Sequence, residues 1–345
     1  MANRFRTPDS YHPVLSVRDT ERAIQEIKEF FQVDLARALN LRRVTAPLFV
    51  ESGTGVNDDL NGIERPVRFT VKDLGDQQVE VVQSLAKWKR LALADQAIPP
   101  GEGIYTDMNA IRPDETLDNL HSIYVDQWDW ERVITPDERD LELLKTTVRK
   151  IYGVIRQAEA VICARHPALT SILPAEITFV HSEDLQERFP DLPPAEREKQ
   201  VAREHGAVFV IGIGWPLADG NPHDGRAPDY DDWTSANGRG HGLNGDILIW
   251  YPLLETAFEL SSMGIRVTPD ALRLQLAMTG QSHREALDLH QRLLSGELPL
   301  SIGGGIGQSR LCTLLLKKAH IGEIQAGIWP ADMRAALKTR GVILL

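Results

Sequence analysis

Cysteine is scarce in this chain: 345 residues contain two, Cys163 and Cys312, and neither sits in a CxxC or Cys/His spacing. A disulfide framework and a cysteine-based zinc site are therefore not expected. Basic charge is also in deficit, with 38 Lys and Arg against 49 Asp and Glu and a formal net charge of −11. An acidic surface repels phosphate backbones, so nucleic acid is not an expected partner. No apolar run reaches the length of a bilayer span, and the opening MANRFRTPDSYHP has no signal-peptide core. The expectation is a cytoplasmic protein without membrane contact. GxxxxGK[ST] is missing, which excludes a P-loop. Gly212 and Gly214 lack a third glycine, and Pro216 stands where a helix should open, which excludes a dinucleotide fingerprint.

What is present is ordinary globular composition, 42% hydrophobic and 25% charged, in a chain long enough to bury a large core. Helical spacing of Ile24, Ile27, Phe31, Leu35 and Leu39 predicts a helix over 18–39, and residues 41–50 turn β-like around Pro47, which marks an edge or bulge. Residues 53–62 read as a loop carrying Asp58 and Asp59, followed by strands over 67–71 and 79–82. The segment SLAKWKRLALADQ reads as a helix on which Lys87 and Arg90 belong to a solvated face while Lys89 projects differently. Thr135, Pro136 and Glu138 form a capping box before an apolar helix. Strands follow over 177–181 and 207–213, with a polar helix over 194–205 between them. After an acidic loop over 221–246 come strands over 247–251 and 255–261, the latter with Glu259 and Ser261 on one face. Two capped helices start at Thr268 and Ser282.

Two stretches point to chemistry. The segment IRPDETLDNLHSIYVDQWDWER, residues 111–132, reads as the turn and return strand (121–130) of a hairpin whose incoming strand spans 104–111. Alternation puts Ile123, Val125, Gln127 and Asp129 on one face and Tyr124, Asp126, Trp128 and Trp130 on the other. Arg112 at the turn end could grip a carboxylate or phosphate, or be an arginine on a solvated hairpin. Near the end, residues 300–310 form a glycine-rich strand feeding a helix over 308–318 that carries Arg310. Glycines there would let a flat ligand lie on the backbone; the alternative is a bulge or tight crossing.

The helix–strand–Pro47 segment, the Arg112 hairpin and GGGIGQSRL, in that order, resemble the three signature motifs of class II aminoacyl-tRNA synthetases. SLAKWKR, VDQWDWERV, RAPDYDDW, LNGDIL, FELSSMGIRV and IGGGIGQSRL together resemble the ammonia-dependent asparagine synthetase family over nearly the whole chain. The resemblance implies an α+β fold, a mostly antiparallel sheet flanked by helices, in a single catalytic domain over 1–345 with a lead-in (1–16) and a tail (331–345). It also implies a homodimer built through the first motif.

The implied reaction has two steps: L-aspartate and ATP give β-aspartyl-AMP and diphosphate, and ammonia then displaces AMP to give L-asparagine. Adenylation brings two anions together, so Arg112 and Arg310 with Mg²⁺ are expected to offset charge, and Asp246 and Glu259 to hold the metal. Lys89, Gln127, Asp129, Ser262 and Arg266 are expected around aspartate; Ser122, Asp231, Gly304 and Gly305 around ATP. Asp58 is the candidate for holding ammonium and taking its proton, since an amine attacks only when neutral. His121 is expected to brace the hairpin. Two rivals share the fold: an aspartyl- or asparaginyl-tRNA synthetase, which would need a basic anticodon-binding domain, and a non-catalytic amino-acid-binding regulator, which would not need both arginines and both metal carboxylates.

Overall fold

The computed structural model describes residues 5–57 and 64–345. After an irregular lead-in, α1 (Val17–Leu39) begins at Ser16, whose hydroxyl accepts the Asp19 N–H, and ends at Asn40 in the left-handed region. Its buried stripe, Ala23, Ile27, Phe31, Leu35 and Leu39, advances four residues at a time and faces one side of the main sheet. Residues 41–50 do not form one strand. They split into β1 (Leu41–Arg43), an edge strand of the main sheet, and β2 (Phe49–Glu51), which pairs in a small second sheet with β4 (Gln77–Val81), itself paired to β3 (Arg68–Val71). Pro47 lies in the connection, where its missing N–H interrupts no ladder.

The chain continues through α2 (Ala86–Asp95), the hairpin β5 (Gly103–Ile111) and β6 (Tyr124–Val133), then α3 (Leu141–Arg165). The Thr135–Glu138 capping box is present but starts a 3-10 turn, and α3 begins later, where Asp140 accepts the Leu143 N–H at 2.8 Å. Next come β7 (Thr178–His181), α4 (Ser182–Arg188), α5 (Pro194–His205) and β8 (Ala207–Ile211). After the long loop, β9 (Asn244–Tyr251) and β10 (Thr256–Ile265) form a hairpin, followed by α6 (Pro269–Met278), capped by Thr268. Ser282 opens another 3-10 turn, not a helix, and α7 spans Asp288–Leu294. The chain closes with β11 (Ser301–Gly307), α8 (Gln308–Leu315) and α9 (Ala331–Thr339). The expected tail is thus a helix whose Met333 and Leu337 join the main core.

The main sheet has the order β1-β5-β6-β11-β10-β9-β8-β7 and is parallel only at its two edges, β1 with β5 and β7 with β8. α1 and α3 cover one face, where Trp128 and Trp130 of β6 are fully buried and Phe31 packs on Trp128 with ring centroids 4.5 Å apart. The opposite face is covered at one end by α5, through Val201 and Ala202 on Val208 and Leu248, and at the other by α2, through Leu93 on Ile104 and Val133. Between these two coverings β6, β11 and β10 are left open, and the cavity lies there.

A β-bulge decides which side chains of β10 reach that opening. The register shifts between Glu259 and Ser261 against β9, so Leu260 is an extra residue. Phe258 and Leu260 face the core, and after the bulge the core positions become Met263 and Ile265. Strict alternation would have put Ser262 in the core. The bulge brings Glu259 and Ser262 to the cavity side, in place of the expected Glu259 and Ser261 pairing; Ser261 instead donates to the Gly305 carbonyl at 2.8 Å.

Candidate active site

The cavity holds about 400 Å³ and is walled mainly by charged and polar side chains. Twelve of the residues expected from sequence line it: Lys89, Arg112, Ser122, Gln127, Asp129, Asp231, Glu259, Ser262, Arg266, Gly304, Gly305 and Arg310. Asp246 is not on the wall. It lies behind Arg226, whose guanidinium pairs with its carboxylate. Asp58 lies outside the described residues.

One side of the cavity is walled by a buried ion-pair network. Arg266, 2% exposed, is gripped by Glu131, with Nε to Oε1 at 2.9 Å and Nη2 to Oε2 at 2.7 Å, and pairs with Asp231. Glu131 also accepts the Ser301 hydroxyl at 2.7 Å. Burial alone would raise the Glu131 carboxyl, but Arg266, Lys89 and the Ser301 hydrogen bond bring it below its ordinary value, so it is ionised. Lys89 pairs with Asp129 and donates to the Gly304 carbonyl at 3.1 Å; burial pulls its ammonium below the ordinary lysine value against the opposing pull of Asp129 and Glu131. Asp129 Oδ2 is buried without a hydrogen-bond donor among the described residues, so this carboxylate has acceptor capacity to spare.

The glycine run is explained by this network as much as by any ligand. A Cβ on Gly303 would lie 1.9 Å from Glu131 Oε2, and one on Gly305 would lie 2.1 Å from Gln127 Oε1. Side chains of β6 lean over β11, and glycine is the residue that leaves them room.

On β9 and β10, Asp246 and Glu259 are acidic neighbours. Burial raises the Asp246 carboxyl to about 7; Arg226 pulls it back while Glu259 pushes it further up. The surrounding protein also pushes Glu259 up, but Arg310 first and then Arg226 hold it below the ordinary range. Arg310 donates to the Glu259 carbonyl at 2.8 Å and to its carboxylate at 3.3 Å. Among the described residues no group of three or more His, Cys, Asp or Glu gathers to hold a metal. Two carboxylates whose charges oppose each other still suit a hard divalent cation that completes its shell with water and phosphate oxygens.

Arg112 differs from every other cation of the cavity. Lys89, Arg226, Arg266 and Arg310 each pair with a carboxylate, whereas the Arg112 guanidinium meets only the Gln83 carbonyl, at 3.2 Å from Nη2, among the described residues. His121 is on the wall and is held by Asp118, Nδ1 to both carboxylate oxygens at 2.9 Å, which agrees with a bracing role.

Sequence reasoning gave no site role to Arg226 or to Glu131, although Glu131 belongs to the strand pattern shared with the aspartyl and asparaginyl enzymes. Arg226 opens the RAPDYDDW block, from which only Asp231 was chosen. Glu131 continues the Gln127–Asp129 face at strand period two, and that alternation was the signal for it. Lys87 and Arg90 were expected on a solvated face and are buried: Lys87 pairs with Asp229 at 3.1 Å, and Arg90 donates to the carbonyls of Val267 and Pro299 at 2.8 and 3.1 Å. Their partners are far along the chain, so nothing local announced them.

This sheet and its charged central cavity define a catalytic fold of the class II aminoacyl-tRNA synthetase kind. The asparaginyl-tRNA synthetase of Pyrococcus horikoshii, solved with asparaginyl-adenylate, superposes with a TM-score of 0.66 at 16% identity, over 90% of this chain and 70% of that one. The Entamoeba histolytica asparaginyl-tRNA synthetase gives 0.63 at 13%, over 90% and 67%. A family model described as aspartate-ammonia ligase matches residues 18–341. Aspartate–ammonia ligases of Bacteroides thetaiotaomicron and Clostridium perfringens are 58% identical over 328 residues (95% of each chain) and 55% identical over 338 residues (98% of each). The chain belongs to the aspartate–ammonia ligase family.

Proposed function

We propose that this chain makes L-asparagine from L-aspartate and ammonia with ATP, through a β-aspartyl-adenylate. The observation that carries the reading beyond the family is Arg112, a cation on the cavity wall that no carboxylate of the described residues neutralises. A site that must bring an aspartate carboxylate up to the α-phosphate needs such an uncommitted charge. Arg310, from the opposite wall, would meet the rest of the triphosphate. A Mg²⁺ ion held by Asp246 and Glu259 would supply further charge neutralisation on the phosphates.

Aspartate would be held between Lys89 and Arg266, which take its carboxylates, and Asp129 and Gln127, which take its ammonium; the spare acceptor of Asp129 fits the latter. Ser262 sits where the bulge brings it, beside Asp246. Ser122, Gly304 and Gly305 would carry the nucleotide, the glycines only over the strip that Gln127 leaves clear. Asp231 is already committed to Arg266, so its role would be to orient that guanidinium more than to touch ribose or adenine. In the first step an aspartate carboxylate oxygen bonds to the α-phosphorus and diphosphate leaves; in the second, the ammonia nitrogen bonds to the acyl carbon and AMP leaves. Asp58 remains our choice for the proton that ammonium must lose. We also propose a cytoplasmic homodimer joined through α1 and β1.

The test is release of AMP and diphosphate from ATP and aspartate with and without ammonium. Asparagine and AMP accumulating together only with ammonium supports the reading. Aspartate-dependent exchange of diphosphate into ATP without asparagine would point to another acceptor. Aspartate binding with no exchange at all would point to a regulator.

A further inference from the structure

The helix that carries Arg310 lacks a cap of its own. Its N-cap residue is Gly307, which has no side chain to accept the first free N–H groups. Arg310 itself crowds this position: its stem folds back over the helix start, and a Cβ on Gly307 would lie 3.0 Å from Arg310 Cβ and 3.3 Å from its Cγ. Serine or aspartate at this position would require the arginine stem to give way by a few tenths of an ångström. The missing acceptor comes from the neighbouring strand. Asp126 of β6, 6% exposed, accepts the Ser309 N–H at 2.9 Å through Oδ1 and the Ser309 hydroxyl at 2.8 Å through Oδ2. Oδ2 also pairs with Lys28 of α1 at 3.2 Å, and Gln325 donates to the Ser309 hydroxyl at 3.2 Å. Both carboxylate oxygens are thus spent inside the protein although the residue lies on the cavity wall.

We propose that Asp126 is a positioning residue for Arg310: it caps, from the adjacent strand, the helix that carries this arginine, and Lys28 of α1 holds it in place. The inference rests on the reading that Arg310 meets the triphosphate of ATP. Through it, α1, which contributes nothing to the cavity wall, bears on nucleotide binding without touching it.

A double-mutant cycle on the full chain tests this, with ATP and aspartate dissociation constants measured separately by calorimetry. Asp126→Ala is expected to weaken ATP about tenfold, and Lys28→Met about threefold, with aspartate alone changed by less than about twofold. Asp126→Asn, which keeps an acceptor for the Ser309 N–H, should recover most of the loss. In an Arg310→Ala background, Asp126→Ala should add nothing. If its effect adds in full there, or if ATP and aspartate weaken together, Asp126 is a structural residue only. If Arg310→Ala itself leaves ATP binding unchanged, the assignment of Arg310 falls and the positioning role falls with it. Should Asp126→Ala not fold, Lys28→Met with Arg310→Ala closes the same cycle: independence of the two overturns the proposal, and loss of the Lys28 effect supports it.

Discussion

Lys87 and Lys89 stand two residues apart on α2, both are buried, and both pair with an aspartate, yet they belong to different kinds of site. Around Lys87 the charges close on themselves. Asp229 Oδ2 takes Lys87 at 3.1 Å, Arg284 at 3.1 Å and His290 Nε2 at 3.0 Å, with Leu289, Leu293 and Leu298 beside them. Burial raises the Asp229 carboxyl, and Lys87 and His290 more than reverse this, so it is held ionised below its ordinary value. Around Lys89 the network has a free side, the cavity in front of it; Asp129 Oδ2 and Asp229 Oδ1 alike lack a hydrogen-bond partner among the described residues, and only the former stands at a cavity roomy enough for a ligand. A closed buried cluster fixes where elements sit; an open one leaves charge for a ligand to complete.

The largest break in that comparison is expected at the uncommitted cation. Arg112→Ala should lower kcat/KM for aspartate-dependent ATP turnover by about 10³-fold, with the thermal midpoint close to that of the parent. Next, Lys87→Met should cost about 3–5 kcal/mol in urea unfolding, because Asp229 loses a buried partner, while the folded fraction keeps kcat/KM within about threefold. Lys89→Met should do the reverse in emphasis, raising the KM for aspartate about a hundredfold. If Lys87→Met and Lys89→Met behave alike in both assays, the division between closed and open clusters is wrong.

A smaller effect sharpens the contrast with a group that belongs to neither cluster. His320 is fully buried, its Nδ1 accepts the Gly322 N–H at 3.0 Å, and burial lowers its pKa to about 4. The folded state keeps this imidazole neutral, and the unfolded chain takes up its proton near pH 6.5. Between these values the unfolded state binds more protons, so stability should fall as pH drops from 6.5 toward 4, by about 3 kcal/mol from this group. Unfolding curves of His320→Gln should show a flatter pH dependence in that window.

The apolar stripe of α1, the cap of α6, the hairpin and the glycine strand were all legible, because each is written in spacing of three to four or of two, or in the residue a cap or turn demands. So were most wall residues, since alternation on β6 put Gln127 and Asp129 on one side. Lys87, Arg90 and the bulge at Leu260 were not. An amphipathic helix with three basic residues reads as solvated when the acceptors for its charges, Asp229, Pro299 and Val267, lie more than a hundred residues away. A bulge changes no residue type; it shows only as a shift in which neighbours the strand meets.

By itself, then, the sequence determined most of the elements, the buried stripe of the amphipathic ones and the residue types available to a small-molecule ligase, because these follow from local period and chemistry. Only the tertiary structure decided which charges cancel and which remain. Charge balance in a cavity depends on distances between segments such as 89, 129, 226, 246 and 310, and those distances exist only once the sheet has brought the segments together.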